Sequence, residues 1–226
     1  MKLHSKRYNN DCKSAVKEKL SLEDAVKKIK GWQSVKFNQT IECVVNLGVD
    51  PKQADQAIRG AISLPHGIGK KLRVIAFCDG EDAEKATAAG AIEVGSDELV
   101  DKVQKGWMDF DVAIAHPKMM SKVGKLGRVL GPQGKMPSPK GGTVTANVAQ
   151  AVKDYAAGKV EFRNDSGGNV HVSVGKMDFQ EQQLLDNINA FVNQIKKMKP
   201  SGSKGTYFKK VCICATMSPS VEVAIS

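Results

Sequence analysis

Aromatic residues make up only 5% of this chain, histidines number four, and no run of apolar residues approaches the length that spans a bilayer. The last shortage excludes a helical membrane protein. The start, MKLHSKRYNN, is basic but lacks the apolar stretch of a secretory signal, so the protein is expected to stay in the compartment where it is made. The lack of a transit-like leader favours a bacterial over an organellar source. The five cysteines (Cys12, Cys43, Cys78, Cys212, Cys214) are odd in number and form no CxxC, which argues against a disulfide framework and leaves them as reduced core residues of a cytosolic protein. Cys212 and Cys214 would share one face of a strand, without the second pair of ligands that zinc requires.

Acid is missing altogether from Ala115 to Gly142, AHPKMMSKVGKLGRVLGPQGKMPSPKGG. Lys118, Lys122, Lys125, Arg128, Lys135, Lys140 and the titratable His116 stand there among six glycines. Such a segment can bring backbone and charge close to a polyanion. A solvated helix and loop fits the composition equally well. It is not a Walker loop, because Met136 follows Lys135 and the glycine spacing is wrong, and it is not a GxGxxG turn. His116 follows a strand, where open α/β sheets bind ligands, but no nucleophile, carboxylate pair or second histidine can be placed beside it. A general base needs that geometry first, so His116 is read as structural. His171 is read as a surface hydrogen-bonding group and Met119-Met120 as helix core. No catalytic residue, metal or cofactor is expected.

What the chain does have is length and positive charge. Its 226 residues, 41% hydrophobic and 26% charged, suit one large or two modest soluble domains. A net charge of +10 calls for an acidic partner, nucleic acid rather than membrane. Glycine and proline interrupt the pattern near Leu64 to Gly69 and again at Ala157-Gly158, which are read as two hinges. Between them strands and helices alternate: Leu72 to Cys78, a helix from Asp82 to Ala89, Ala91 to Val94, a helix from Ser96 or Asp97 through Lys105, Val112 to Ala115, and a helix from Asn147 to Gly158. Unbroken apolar strands in that order predict a parallel sheet covered on both faces.

The flanks read differently. Ser21 with Asp24 resembles a capping box for a helix ending at Gly31, and Pro51 opens a predicted short helix over residues 51–60. Ile41, Cys43, Val45 and Leu47 alternate with Thr40, Glu42 and Asn46, as in a half-buried strand. Val160 and Phe162, then Val170, Val172 and Val174, repeat the pattern. Asp178 and Glu181 are placed to cap a helix whose Leu184, Ile188, Phe191, Val192 and Ile195 form one stripe. Strands over Val211 to Met217 and Val221 to Ile225 close the chain. The expected fold is therefore an α+β discontinuous domain, residues 1–66 plus 158–226, interrupted by a three-layer α/β domain over 67–157. Residues 67–157 carry 13 basic and 11 acidic side chains, net +2, and the remainder 21 and 13, net +8. The charge excess thus assigns polyanion binding to the discontinuous domain.

The run VGKLGRVLGPQGKMPSPKGGTV is similar to the characteristic motif of the large-subunit ribosomal protein L-one family of bacterial type. The similarity extends through GWMDFDVAIAHP (Gly106 to Pro117), SLPHGIGK (Ser63 to Lys70), VEFRND (Val160 to Asp165), SVGK (Ser173 to Lys176) and ATMSPS (Ala215 to Ser220). It implies a structural protein of the large ribosomal subunit with two hinged domains. The implied partners are a mobile stalk of large-subunit rRNA near the tRNA exit site, deacylated exit-site tRNA, and a similar fold in the protein's own mRNA leader, where binding represses translation. The protein is expected to be a monomer off the ribosome. Carried over position by position, the implied RNA contacts are Phe37, Thr40, Glu42, Thr216 and Met217, with Lys36, Arg163 and Asp165 second. Ser218 stands where the family pattern has glycine, so it either fits an ordinary backbone or adds a hydroxyl contact. The rival readings are a nucleotide-binding α/β enzyme and a nucleic-acid-binding module outside the ribosome.

Overall fold

Apolar residues stand at every second position from Ile41 to Leu47, with Val44 the one apolar residue on the face between them, and a strand so patterned buries one face and leaves the other to meet solvent. The computed structural model describes residues 5–15, 18–32, 35–53, 55–203 and 205–224. In chain order its first half comprises α1 (Lys6–Ser14), α2 (Leu22–Gly31), β1 (Thr40–Leu47), β2 (Arg59–Ser63), β3 (Val74–Phe77), α3 (Glu81–Ala88), β4 (Glu93–Gly95), α4 (Asp97–Gln104) and β5 (Val112–Ala115). The single-turn helices α5 (Met120–Val123) and α6 (Gly127–Leu130) follow, each after a 3-10 turn, and then α7 (Val148–Ala156), β6 (Lys159–Arg163), β7 (Asn169–Lys176), α8 (Glu181–Lys197), β8 (Phe208–Ala215) and β9 (Val221–Glu222). The chain divides into two compact units, Met1–Gly69 with Phe162–Ser226, and Lys70–Glu161. The architecture is α/β throughout, with an antiparallel sheet in the first unit and a parallel one in the second.

The discontinuous unit is built on an antiparallel sheet of order β7-β1-β8-β9. Ile41, Cys43, Val45 and Leu47 are buried, as are the α8 stripe Leu184, Ile188, Phe191 and Ile195 and the α2 residues Ala25, Val26 and Ile29. Removing each such large aliphatic or aromatic side chain from water contributes about 1.5–3 kcal/mol. Ser21 Oγ accepts the Asp24 N–H at 3.2 Å and so caps α2 as its sequence suggests. Fully buried Asn187 of α8 accepts the His66 N–H and donates to Gly67 O and Val174 O, which ties the segment after β2 to this unit.

The inserted unit is a parallel sheet of order β4-β3-β5. Its strands β3 and β5 are apolar on both sides because helices cover both. Ile75, Phe77, Ala113 and Ala115 pack with Leu99, Val103, Met119, Leu126 and Leu130. Val74, Ala76, Cys78 and Ile114 pack with Ala86, Val148, Val152 and Tyr155. Asn147 Oδ1 accepts the Gln150 N–H and caps α7.

Four local expectations are corrected. Residues 51–60 are not a helix: Pro51 begins a set of turns, and β2 starts at Arg59. Local side chains compete with helical hydrogen bonds there, since Gln56 Oε1 accepts the Asp50 N–H and Asp50 Oδ1 the Lys52 N–H. Ser96 stands before α4 but makes no side-chain cap. At α8 the cap is Gln180, whose N–H is accepted by Gln183 Oε1 at 3.0 Å, while Asp178 accepts a bond from Asn38 instead. The cysteines are all free, but only Cys43 and Cys78 are core; burial pushes their thiols up to about 12 and about 11. Cys12 is exposed, and Cys212 and Cys214 are half-buried on the outer sheet face. Ile225, expected at the end of the last strand, lies outside the described residues.

Candidate nucleic-acid interface

The register of the antiparallel sheet sets out its outer face row by row. Thr40 lies opposite Lys176; Glu42 lies between Ser173 and Cys214; Val44 lies between His171 and Cys212; Asn46 lies between Asn169 and Lys210. A β-bulge between Ile41 and Glu42 breaks the pairing with β7 at the Thr40 end, and bulges of this kind re-aim side chains at sheet ends. Beyond that end come Lys36 and Phe37, both exposed, and across β8 the turn Thr216-Met217-Ser218.

Backbone bonds join these separate stretches into one site. The Thr216 N–H is accepted by Thr40 O at 3.0 Å and the Thr40 N–H by Thr216 Oγ1 at 3.1 Å. Thr216 Oγ1 donates its proton to Thr40 O, so that hydroxyl is consumed internally and only the rest of the side chain faces out. Thr40 Oγ1 accepts from Lys176 Nζ at 2.7 Å, which leaves its own O–H proton to donate outward. The Glu42 carboxylate makes no hydrogen bond or ion pair to another described residue. Phe37 is 53% and Met217 46% exposed, two of three large apolar side chains so exposed among the described residues. The arrangement offers a hydroxyl donor, a carboxylate acceptor, a cation and two apolar surfaces, a set suited to sugar edges and unstacked bases.

Ser218 takes an ordinary backbone, since among the described residues no non-glycine has positive φ. Its Oγ accepts the Ala215 N–H at 2.9 Å and lies 2.9 Å from Pro219 O, so the hydroxyl is turned into the turn and not outward. Arg163 and Asp165 lie elsewhere. The turn that contains Asp165 leads into Asn169, opposite Asn46, at the far end of β1 and about 20 Å from Thr40 at 3.4 Å per residue. Asp165 Oδ1 accepts the N–H groups of Gly167 and Asn169 at 2.8 and 2.7 Å, and Oδ2 accepts from Asn169 Nδ2 at 3.0 Å. Asn169 in turn accepts from Asn46. The hydrogen bonds from the Asn169 side chain, then from its backbone, hold the Asp165 carboxyl below the usual carboxylate range. Arg163 is exposed beside this turn.

The cations of the glycine-rich segment in the inserted unit divide. Lys122 Nζ is bonded to Asp97 at 2.7 Å; Lys135 Nζ donates to Phe110 O at 2.6 Å and Met108 O at 3.2 Å and lies over the Phe110 ring. Lys118, Lys125, Arg128 and Lys140 point outward. His116 Nδ1 accepts the Lys118 N–H, a local turn contact. Among the described residues no group of three or more His, Cys, Asp or Glu converges, and no helix is long and apolar enough to cross a membrane. Sequence reasoning missed Gln39, which supports the site from beneath, and Lys176, which stands beside Thr40 on the outer face; their bonds join positions more than 130 residues apart and leave no local signal.

Comparison with known proteins gives a consistent result. Residues 26–219 match the Ribosomal protein L1p/L10e family. The chain is 51% identical over 221 residues to the large ribosomal subunit protein uL1 of Salinispora arenicola, covering 97% of this chain and 93% of that protein. It is 50% identical over 224 residues to the protein of the same name from Lactobacillus delbrueckii subsp. bulgaricus, covering 99% and 97%. For the one from Thermobifida fusca the identity is 52% over 200 residues, covering 88% and 85%.

Proposed function

The chain belongs to the ribosomal protein L1p/L10e family, whose members are structural ribosomal proteins and not enzymes, and from that premise we propose that it is a constituent of the large ribosomal subunit that grips folded ribosomal RNA with the Thr40 end of its antiparallel sheet. The observation that carries this reading is the reciprocal bonding of Thr40 with Thr216, which joins the start of β1 to the turn after β8, where Phe37 and Met217 are exposed. Lys36 supplies phosphate attraction; Thr40 and Glu42 read sugar and base edges; Phe37 and Met217 exclude water and stack. The face is assembled before RNA arrives, so little ordering entropy opposes binding.

The target is the mobile stalk near the tRNA exit site of the cytoplasmic ribosome. The discontinuous unit, residues 1–66 plus 158–226, holds the RNA, and the inserted unit, 67–157, turns on the glycines at 67, 69 and 158, all of positive φ, to assist release of exit-site tRNA. A like-folded element in the messenger leader competes for the same face and represses translation, and the free protein is a monomer. Footprinting on large-subunit ribosomal RNA tests the central claim: Thr40→Val and Met217→Ala lose protection while their melting temperatures stay at the native value. Full footprints from both variants would overturn it.

A further inference from the structure

Beneath the exposed end of the sheet lies Gln39, 1% exposed, although it sits in the polar run Asn38-Gln39-Thr40 between two surface residues. Its side-chain Oε1 accepts the Met217 N–H at 2.9 Å, and its main-chain oxygen accepts the Met177 N–H at 2.9 Å. The first bond fixes the orientation of the amide, because its NH2 group cannot accept. On either side, Asn38 Nδ2 donates to Asp178 at 2.6 Å and the Thr40 N–H to Thr216. Three consecutive residues therefore bridge the loop after β7 and the turn after β8, and Gln39 is the one whose side chain reaches the backbone of Met217.

This position is costly. Gln39 Nε2 is buried and has no hydrogen-bond partner among the described residues, and leaving a buried donor unsatisfied destabilises a fold. An apolar side chain of similar size would avoid that cost and still fill the space. What it would lack is the acceptor that holds the Met217 N–H. We infer that Gln39 is a positioning residue for RNA: it sacrifices a buried donor to fix the Met217 turn in the geometry the RNA meets. This rests on the RNA-binding reading of the face. Gln39 carries no charge, so its contribution is to geometry and leaves the number of neutralised phosphates unchanged.

The test measures binding of deproteinised large-subunit ribosomal RNA across a potassium chloride series, with amide hydrogen exchange on the free protein alongside. Gln39→Leu is expected to weaken binding about tenfold, to leave the salt slope at the native value, and to speed exchange of the Met217 amide. Gln39→Glu keeps a carbonyl acceptor for that amide, and because burial raises the pKa of a carboxyl it recovers binding to within about threefold of the native protein when both are measured at mildly acidic pH, where the side chain is neutral. If Gln39→Leu does not fold, Gln39→Ala takes its place. Binding by the leucine or alanine variant within twofold of native, or an unchanged Met217 exchange rate, overturns the inference. So does a loss that Gln39→Glu fails to recover. Met217→Ala separates the two claims: if it loses RNA while Gln39→Leu does not, the face stands and the role of Gln39 falls. If the native protein itself does not bind, the RNA reading fails, and the exchange data still report whether Gln39 holds the turn.

Discussion

Two regions of this molecule set cations among polar groups and differ in what they leave exposed. In the glycine-rich segment of the inserted unit, Lys135 is directed at the carbonyls of Met108 and Phe110, Lys122 at Asp97, and Val123, Leu126 and Leu130 are fully buried. At the Thr40 end of the sheet, backbone and buried amide make the internal bonds, while Phe37, Met217, Lys36 and Glu42 are left facing out. The other four cations of the glycine-rich segment, Lys118, Lys125, Arg128 and Lys140, point outward, so its charge is divided between internal bonds and solvent. What sets the Thr40 end apart, and what the proposed interface rests on, is that exposed apolar groups, Phe37 and Met217, stand beside an internally bonded framework.

The sharpest way to break that contrast is to truncate the exposed apolar groups. Phe37→Ala is expected to weaken RNA binding by roughly 10- to 100-fold, the 1–3 kcal/mol of a lost base stack, with an unchanged melting temperature because the ring is 53% exposed. Filter binding and a thermal melt together check it. Lys135→Met should do the reverse: removing a cation bonded to two carbonyls costs about 1–3 kcal/mol of stability, read as a lower melting temperature, with RNA affinity and salt slope unmoved. A fall of about one in that slope would make Lys135 a phosphate ligand and erase the distinction. Lys36→Ala is milder, weakening binding a few-fold and lowering the salt slope by about one. A slope that does not change would remove Lys36 from the interface.

The fold class was legible because both sheets advertise themselves: apolar residues at every second position from 41 to 47, between neighbours polar except Val44, mark the antiparallel sheet, and runs such as Val74 to Phe77, apolar at every position, mark the parallel one. The α8 stripe was equally plain. Residues 51–60 misled because Pro51 is as good a turn opener as a helix opener, and the deciding bonds from Gln56 and Asp50 are side-chain contacts that periodicity does not register. Val211 to Ala215 alternates valine, cysteine, isoleucine, cysteine and alanine, apolar throughout, so its pattern could not show that Cys212 and Cys214 face outward. At the candidate site, Phe37, Thr40 and Glu42 share a local pattern. Their union with Thr216 and Met217 spans 176 residues; the family resemblance implied it, no local pattern carries it, and the bonding of Thr40 with Thr216 gives its geometry. Gln39 lies in a polar tripeptide that looks like any loop.

The smallest effect belongs to Asp165, whose carboxylate is engaged within its own turn. The folded value lies below the ordinary one, chiefly because of the bonds from Asn169. As pH falls, the unfolded chain takes up the proton first, so the stabilisation is complete above the ordinary carboxylate value of 3.8 and is lost as pH drops through the folded value. Asp165→Ala should therefore lower stability at neutral pH, and its deficit relative to the native chain should close in acid. The Gly167 and Asn169 amides, which the carboxylate holds, should exchange faster in the variant at neutral pH and at matched rates once the native carboxyl is protonated. At neutral pH the variant should keep the native salt slope for RNA, because the group removed is neither a cation nor a free acceptor. A deficit that persists unchanged into acid would show that the turn is held by its backbone alone. A large loss of RNA binding with the turn intact would instead mean that the far end of the sheet, about 20 Å from Thr40, recognises RNA as well, and the contrast between satisfied framework and open recognition groups would no longer mark the limits of the interface.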